Sequence, residues 1–285
     1  MSEFLDRLAE HVREEGYNIF RISELREGGE VETVELAQTN PCQNSYSITK
    51  LFVVTAMGLL VDRGLVSTDE KLCDILPEHF TDRVHERWHR ATVDHAMRHM
   101  LGLPSGFLDI DCTNACEFGR DHLAYMLART PECEPGTERC YSDGAYYLLS
   151  RAAEKRAGMP LDHFLWEHLL FPLEVREAAF SKCPLGHVIG ATGLYTRTEE
   201  LVKLGSLYLG DGSYRGERIL SREWVSTVLE RGYELRPLCD RRAYGKGGMR
   251  GQMLLVIPSQ RRVVAWHGCG SYSTKELSEW ICNAF

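Results

Sequence analysis

The sequence predicts an α/β (α+β) fold in which an antiparallel sheet, built from both termini and flanked by helices, carries an inserted and mostly helical lobe. Two observations in the 285-residue chain support this prediction. Segments in which apolar and polar residues alternate, as in strands, lie near both ends of the chain, and the segments between them have helical spacing. We therefore expect a sheet lobe from residues 1–46 and 181–285 and a helical lobe from residues 47–180.

The N-terminal region predicts one helix and one hairpin. Phe4, Leu5, Leu8 and Val12 have the spacing of an apolar helix face. The segments "YNIFRISE" and "GEVETVELAQ" alternate around a glycine-containing turn at residues 26–29, which is the pattern of two paired strands. The sheet therefore begins before the helical lobe.

The middle of the chain predicts helices and the C-terminal region predicts strands between two helices. The segment "ITKLFVVTAMGLLVDRG" is apolar nearly all round and ends at Gly64, as expected of a buried helix with a glycine C-cap. Four further helical segments follow, "TVDHAMRHML", "RDHLAYMLAR", "GAYYLLSRAAEKRAG" and "LDHFLWEHLL". Towards the C-terminus, "TEELVKLGSLYLG" is an amphipathic helix, "GQMLLVIP" and "RRVVAWHG" are adjacent strands, and "STKELSEWICNAF" is a closing helix.

Composition excludes several classes of function. A net charge of -8 and a pI near 5.8 argue against nucleic acid or acidic lipid as a partner. The first helix is too acidic for a signal peptide, and the longest apolar run, residues 51–61, is too short to span a bilayer. We therefore expect a cytoplasmic protein without a membrane anchor. The sequence carries no indication of an oligomeric state.

The ten cysteines are scattered and lack paired C-x-x-C spacing. Without a secretory signal, reduced thiols are the expected state. Cys112 and Cys116, with Cys133 and Cys140 downstream, leave a structural zinc site open as the less favoured interpretation.

Two catalytic motifs compete in this sequence, and the first is H-E-x-x-H in "VHERWH". On a well-packed helix, His85 and His89 could bind zinc one turn apart while Glu86 acts as general base. The surrounding segment has few apolar residues with which to pack such a helix, no third ligand stands out, and Thr92 is expected to cap a new helix beginning at Val93. A charged turn with both histidines facing solvent is favoured, and a zinc hydrolase is the remote alternative.

The second motif is S-x-x-K, formed by Ser47 and Lys50 at the start of the apolar helix. Ser47 is the only serine in the chain with a lysine three positions later. Residues i and i+3 share one helix face, so the Lys50 amine can reach the Ser47 hydroxyl at the wall of the core. Burial there would favour the neutral amine, which can serve as a general base. The helix N-terminus also offers N–H groups to a developing oxyanion.

Two later motifs strengthen the serine interpretation. Tyr141-Ser142-Asp143 is the only Y-x-[ND] in the chain and lies in a turn before a helix. Lys246-Gly247-Gly248 comes just before or on a strand edge, where small residues allow a substrate backbone to approach closely. Alone, each motif is more typical of a capping turn or a glycine hairpin. Chance poorly explains their occurrence together, in this order and at these separations.

With these motifs the chain resembles the serine β-lactamase and penicillin-binding-protein superfamily, particularly its class C β-lactamase, DD-peptidase and esterase branch. The resemblance extends to "YSITKLFVVTAMGLLVDRGLVSTDEKLCDILPE", "ATVDHAMRHMLGLPSG", "PGTERCYSDGAYYLLSRAAEKRAGMPLDHFLWEHLLFPL", "ATGLYTRTEELVKLGSLYLGDGSYRGERILS" and "GKGGMRGQMLLVIPSQRRVV". It covers roughly residues 40 to 265. It implies a β-lactamase/transpeptidase-like fold with the active site in the cleft between the two lobes.

The resemblance also implies roles for individual residues. Ser47 would be the acylated nucleophile, Lys50 its base partner, and Tyr141 the acid/base that serves the leaving group and water. Asp143 would orient Lys50 and contact substrate.

On the sheet side of the implied site, Lys246 and Gly248 would flank the substrate on the edge strand, with Gly247 between them. The backbone N–H groups of Ser47 and Met249 would form the oxyanion hole. The reaction would be acyl transfer to water through a serine ester.

Two departures from the family pattern bear on the substrate. Asp143 stands where many β-lactamases have Asn, which adds a possible negative charge and removes an amide that could bind a β-lactam side chain. Gly247 stands where a hydroxyl residue often helps to hold a substrate carboxylate, so Lys246 keeps the cation without this helper. The sequence also lacks the export signal of enzymes that act on the cell wall.

These observations favour a serine hydrolase that uses no metal or organic cofactor and acts on a small ester or amide. An esterase or amidase is favoured over a true β-lactamase that hydrolyses a lactam. The alternative from another class is a catalytically weak sensor that binds a penicillin or a peptide, against which the joint presence of Ser47, Lys50 and Tyr141 argues.

Overall fold

The computed structural model describes residues 2–270 and 272–285, and ten α-helices lie in this part of the chain. The helices are α1 Glu3–Glu14, α2 Thr49–Asp62, α3 Leu72–Ile75, α4 Val93–Met97, α5 His122–Leu127, α6 Asp143–Ala157, α7 Leu161–Leu165, α8 Thr198–Leu209, α9 Arg222–Arg231 and α10 Thr274–Ala284. Short 3-10 turns connect several of them, and a π-helical segment, Trp166–Leu170, continues α7. Within the described residues, no helix combines the length and apolar character needed to cross a membrane.

Eleven strands were found in the same part of the chain, and most belong to one antiparallel sheet. They are β1 Ile19–Arg26, β2 Val31–Glu35, β3 Gln43–Asn44, β4 Ala178–Phe180, β5 Leu194–Thr196, β6 Ser213–Tyr214, β7 Glu217–Arg218, β8 Arg236–Leu238, β9 Ala243–Gly247, β10 Met253–Ile257 and β11 Arg262–Gly268. The main sheet has the order β2-β1-β11-β10-β9-β8, a small sheet has the order β3-β5-β4, and β6 pairs with β7. The N-terminal hairpin therefore lies beside the C-terminal strand, which confirms a sheet built from both termini.

The main sheet is covered on both faces, which explains why its central strands are apolar throughout. On one face, α1 and α10 pack over a core that includes Leu255 and Trp266. On the other face lies α8, which approaches so closely that a Cβ on Gly205 would stand 2.4 Å from Val263 Cγ1. Because alternate residues of a strand point to opposite faces, β10 and β11 must be apolar at nearly every position. All five residues of β10 and all seven of β11 are buried.

Helix α2 is also buried along its length, as its composition predicts. Lys50 and Thr55 have no exposed surface, and neither do most of its apolar side chains. The helix ends at Asp62, and Gly64 follows with φ +68°. The Leu65 N–H then donates to Leu60 O at 2.9 Å, so a glycine C-cap closes the helix as predicted.

The chain divides into two compact units. The sheet unit comprises the described residues of Met1–Leu51, Leu170–Ala179 and Leu194–Phe285, and the helical unit comprises Phe52–Leu169 and Phe180–Gly193. In the helical unit, α3, α4, α5 and α7 pack against α6.

These boundaries differ from residues 47 and 180, where the sequence placed them. Residues 170–179 belong to the sheet unit because α8 holds them: Lys203 Nζ donates to Glu174 O at 2.6 Å. The segment that follows belongs to the helical unit because α6 holds it, with Ser150 Oγ donating to Val188 O at 2.5 Å. Neither of these two hydrogen bonds can be predicted from the local spacing of apolar residues.

Candidate active site

Ser47 and Lys50 are in hydrogen-bond contact at the start of α2. Ser47 lies in a 3-10 turn, Tyr46–Ile48, immediately before the helix rather than inside it. Lys50 Nζ lies 3.0 Å from Ser47 Oγ. Lys50 is completely buried, whereas Ser47 is partly exposed. A buried amine beside a hydroxyl that a substrate can reach is an arrangement suited to a nucleophile and its base.

The turn that presents Ser47 has a strained backbone. Tyr46 has φ 46°, in the left-handed region that is unfavourable for a residue with a side chain. Its carbonyl accepts a 2.6 Å hydrogen bond from Thr49 Oγ1, which in turn accepts one from Leu194 N at 3.2 Å. Such strain occurs where surrounding contacts hold a functional group in one position. The fully buried Thr49 therefore fixes the Ser47 turn to strand β5.

Strand β9 packs against this turn through its C-terminal end. A Cβ on Gly248 would lie 2.4 Å from Ser45 O, so only glycine allows the observed approach. The Gly248 N–H donates to Gln252 O at 2.8 Å, which fixes the end of the strand. Met249 begins the next 3-10 turn, Met249–Gly251. The backbones of Ser47 and Met249 thus belong to the turn before α2 and the turn after β9.

Lys246 lies near the end of β9, the strand next to the edge strand β8. Strand β8 pairs with β9 and forms the edge of the sheet, but its register ends at Gly245. Lys246 and Gly247 pair with Leu254 and Met253 on the inner side, so only the end of β9 extends past the edge strand. Strand β8 was not predicted, because it contains a proline and has only three residues, and its register with β9 stops one residue before Lys246.

Lys246 is paired with a buried acid. Its ammonium forms a hydrogen-bonded ion pair with Glu234, whose side chain is 1% exposed. The Lys246 side chain is itself only 8% exposed. The cation that the sequence assigned to substrate binding therefore already has an anionic partner inside the protein.

Tyr141 lies in a turn of the helical unit that His99 supports. The two rings are 4.4 Å apart, and His99 Nδ1 accepts a hydrogen bond from Ser142 N at 3.3 Å. The His99 carbonyl accepts another from Cys140 N at 2.8 Å. Since His99 is 1% exposed and has φ 58°, it is a structural residue held in an unusual conformation. The sequence does not predict this supporting position of His99.

Asp143 begins α6 beside two further carboxylates. Potential ligand atoms of Asp109, Asp111 and Asp143 all lie within 4.8 Å of one another, and no other group with metal-ligand geometry occurs among residues 2–270 and 272–285. Asp111 Oδ2 accepts a 2.5 Å hydrogen bond from Thr192 Oγ1. The loop that carries the two additional acids, whose conformation the sequence did not reveal, therefore makes the surroundings of Asp143 strongly negative.

The H-E-x-x-H segment forms a 3-10 helix, Glu86–Arg90, with His85 as its N-cap. A 3-10 helix has three residues per turn, so positions i and i+4 do not share a face. His85 Nδ1 accepts from Arg87 N at 3.2 Å, and the His89 ring packs edge-on against Phe80. Both histidines are partly exposed, so they face solvent only in part, and these contacts cover the rest of each side chain.

All ten cysteines are free thiols in the structure.

His267 on β11 lies behind the Ser47 turn. Its Nε2 atom is 3.3 Å from Ser45 Oγ, and its Nδ1 atom has no hydrogen-bond partner among the described residues. Burial lowers the pKa of this imidazole to about 4, while Glu199 raises it to a smaller extent and Arg21 lowers it further. The ring is therefore neutral at physiological pH, and its burial beside Ser45 makes it part of the support of the turn.

The chain forms a six-stranded antiparallel sheet, and the helical unit comes between β2 and β8 in the sequence. These features define a β-lactamase/transpeptidase-like fold. The chain belongs to the Beta-lactamase family, whose model matches residues 26–279.

Individual relatives are more distant. The chain is 29% identical over 148 residues to an N-acetylmuramyl-L-alanine amidase of Bacillus subtilis (strain 168), a match that covers 49% of this chain and 33% of the amidase. Across the curated relatives that it matches, the chain spans 33–40% of their length.

Solved structures match almost the whole chain. A class C beta lactamase from Rhodobacter sphaeroides superposes with a TM-score of 0.74 at 18% identity, covering 99% of each chain. A family VIII carboxylesterase gives a TM-score of 0.75 at 16% identity, covering 99% of this chain and 95% of its own. At these identities the similarity establishes the fold, and the fold is shared by lactamases and esterases alike.

Proposed function

We propose that this protein is a serine hydrolase that cleaves a small ester or amide through a Ser47 acyl-enzyme. The observation that carries the proposal is the 3.0 Å contact between Lys50 Nζ and Ser47 Oγ, with the lysine buried and the serine accessible. Burial disfavours the charged form of an amine, and a neutral amine at this distance can take the serine proton. Membership of the Beta-lactamase family supports the same chemistry.

In the acylation step, Ser47 Oγ attacks the carbonyl carbon while its proton passes to Lys50 Nζ. The carbonyl oxygen becomes an oxyanion, and the backbone N–H groups of Ser47 and Met249 stabilise it. The carbonyl–leaving-group bond then breaks, and Tyr141 delivers a proton to the alcohol or amine that departs. In deacylation, the deprotonated Tyr141 takes a proton from water, whose oxygen attacks the carbonyl carbon of the Ser47 ester. The bond from this carbon to Ser47 Oγ breaks, Lys50 returns its proton to Ser47 Oγ, and the acid is released.

Asp143, Lys246, Gly247 and Gly248 are proposed to line the substrate site, and Asp143 to orient Lys50. Gly248 supports this role by its close approach to Ser45 O next to the nucleophile. Gly247 lacks the hydroxyl, and Asp143 lacks the amide, that would favour binding of a β-lactam. We therefore place esters and amides ahead of lactams as substrates.

The test is hydrolysis of three chromogenic substrates, p-nitrophenyl butyrate, butyryl p-nitroanilide and nitrocefin. The wild type is expected to cleave the ester or the anilide faster than nitrocefin. Ser47→Ala should lower kcat on the best substrate by roughly a thousandfold or more, because the nucleophile is lost. His85→Ala, which lies in the rejected zinc motif, should retain wild-type kcat.

Each alternative predicts a different result. Turnover that survives in Ser47→Ala would contradict the serine mechanism, and turnover that His85→Ala or a chelator abolishes would favour zinc. A stable penicillin adduct on Ser47 without turnover of any substrate would favour a penicillin-binding sensor. The zinc alternative lacks support because the H-E-x-x-H residues form a 3-10 helix.

A further inference from the structure

We infer that Glu234 is a specificity-determining residue, which neutralises Lys246 and directs the site towards substrates without a carboxylate. The inference rests on the proposed function, because it concerns the substrate of the same serine. It assigns a role to a residue that no motif in the sequence marks.

The ion pair between Lys246 and Glu234 is enclosed by protein. The two side chains are 8% and 1% exposed, and the hydrogen bond between Lys246 Nζ and Glu234 Oε2 is buried. Tyr233 and Leu235, the neighbours of Glu234 in the chain, have no exposed surface. A charged pair in such surroundings is weakly screened by solvent and salt. Glu234 therefore offsets most of the positive potential that Lys246 would otherwise present.

The backbone holds Glu234 in a conformation that a side chain disfavours. Leu235 N donates to Tyr233 O at 2.8 Å, which closes a three-residue turn around Glu234 at φ 61°. Turns of this kind are rare and strained, and glycine would adopt the same φ without cost. A glutamate at this position indicates that its carboxylate has a use that outweighs the strain. The use visible in the structure is the bond to Lys246.

Lys246 lies on the strand that contacts the nucleophile turn, so its charge state affects substrate binding. Strand β9 packs on the Tyr46–Ile48 turn, and Gly248, two residues after the lysine, meets Ser45. A substrate carboxylate at Lys246 would have to compete with Glu234 for the ammonium and would be repelled by the glutamate. A neutral ester or amide neither competes with Glu234 for the ammonium nor is repelled by the glutamate.

The test compares two esters that differ by one charge, 3-carboxyphenyl butyrate and 3-carbamoylphenyl butyrate. We expect the wild type to have the higher kcat/KM for the carbamoyl ester. Glu234→Gln should raise the ratio of carboxyl to carbamoyl kcat/KM by about tenfold or more, because a charged hydrogen bond to Lys246 becomes available. The double variant Glu234→Gln/Lys246→Met should lose this gain.

A matched control is the second buried glutamate–lysine pair of the sheet unit, Glu200 with Lys203 in α8. Glu200→Gln breaks a comparable ion pair away from β9 and should leave the ratio unchanged. The inference is overturned if the wild type prefers the carboxyl ester, or if Glu234→Gln changes the ratio by less than twofold. It is also overturned if Glu200→Gln gives the same gain. The wild-type preference decides the question even where Glu234→Gln does not fold.

Failure of the proposed function gives a separate result. If neither ester is cleaved, or cleavage survives Ser47→Ala, the serine mechanism fails. Binding of 3-hydroxybenzoate and 3-hydroxybenzamide is then compared by calorimetry, without any turnover. The role of Glu234 is supported if Glu234→Gln binds the benzoate more tightly than the benzamide and the wild type does not. It is contradicted if the two proteins bind the benzoate equally well.

Discussion

In the proposed mechanism, the reactivity of Ser47 depends on two residues, one in direct contact with its hydroxyl and one that acts through the backbone. Lys50 contacts the hydroxyl directly, at 3.0 Å. Thr49 acts through the backbone, since its hydroxyl holds the carbonyl of Tyr46 in the strained turn that precedes the serine. In the proposed mechanism, the first residue provides a base, and the second fixes the direction in which the nucleophile points. Both follow from a chain that leaves β3 and enters a buried helix within a few residues.

His267 predicts a specific dependence of stability on pH. Its pKa falls from 6.5 to about 4 on folding because burial disfavours the cation. Below pH 6.5 the unfolded chain binds a proton that the folded chain excludes, so stability decreases as the pH is lowered to about 4. The loss from this residue reaches about 3 kcal/mol, at 1.36 kcal/mol for each pH unit.

The measurement is urea unfolding between pH 7 and 4. His267→Gln, which keeps a hydrogen-bonding group beside Ser45, should show a smaller decrease in the free energy of unfolding over this range. His163→Gln is the control, because this side chain is exposed. Equal acid sensitivity in the wild type and in His267→Gln would contradict the assignment.

Local spacing determines which of these residues could be predicted from the sequence. Ser47 and Lys50 could be paired because the geometry of a helical turn brings positions i and i+3 together. Glu234 could not be assigned to Lys246, since β8 and the 3-10 turn Cys239–Arg241 separate the two residues in the chain. His99 and the Tyr141 turn are likewise joined only by the tertiary fold, through contacts over more than forty residues.

At the scale of elements, the close approach of β9 to the Ser47 turn is the feature most sensitive to substitution. Gly248→Ala should lower kcat by about tenfold or more, because the new methyl group would stand 2.4 Å from Ser45 O and displace one of the two backbones. The expected cause is misplacement of the nucleophile and of the Met249 N–H, while the protein remains folded.

Gly247→Ala is the comparison, since its Cβ would have no neighbour nearer than 3.8 Å. Steady-state kinetics on p-nitrophenyl butyrate, with circular dichroism to confirm folding, should show the smaller loss for this variant. A larger loss in Gly247→Ala than in Gly248→Ala would mean that close packing against Ser45 does not control the site.

Elements with strong periodicity were predicted correctly, and the short strand β8 was not. The hairpin of β1 and β2, the buried α2 and the adjacent β10 and β11 all follow from alternation or helical spacing. The three-residue β8 has no periodicity to detect, and it pairs with β9 only as far as Gly245, one residue before Lys246. The H-E-x-x-H segment matches the sequence pattern of a zinc-binding helix, but it forms a 3-10 helix that cannot present both histidines on one face.

At the scale of the whole molecule, the fold class was predictable because both ends of the chain carry strand patterns. Residues 170–179 belong to the sheet unit and residues 180–193 to the helical unit, whereas the sequence placed a single boundary at residue 180. This division depends on side-chain bonds to the carbonyls of Glu174 and Val188. The family could be recognised from the order and separation of three motifs. The substrate could not, because the proposed charge effect of Glu234 on Lys246 arises only in the tertiary fold.

The central claim is that Ser47 forms a covalent acyl-type adduct with Lys50 as its base, and covalent trapping tests it most directly. The protein is incubated with a fluorescent alkyl phosphonate, digested, and mapped by mass spectrometry. The label is expected on the peptide that contains Ser47, absent from Ser47→Ala, and formed at least a hundredfold more slowly in Lys50→Met. A label on another residue, or equal labelling rates in Lys50→Met and the wild type, would contradict the account.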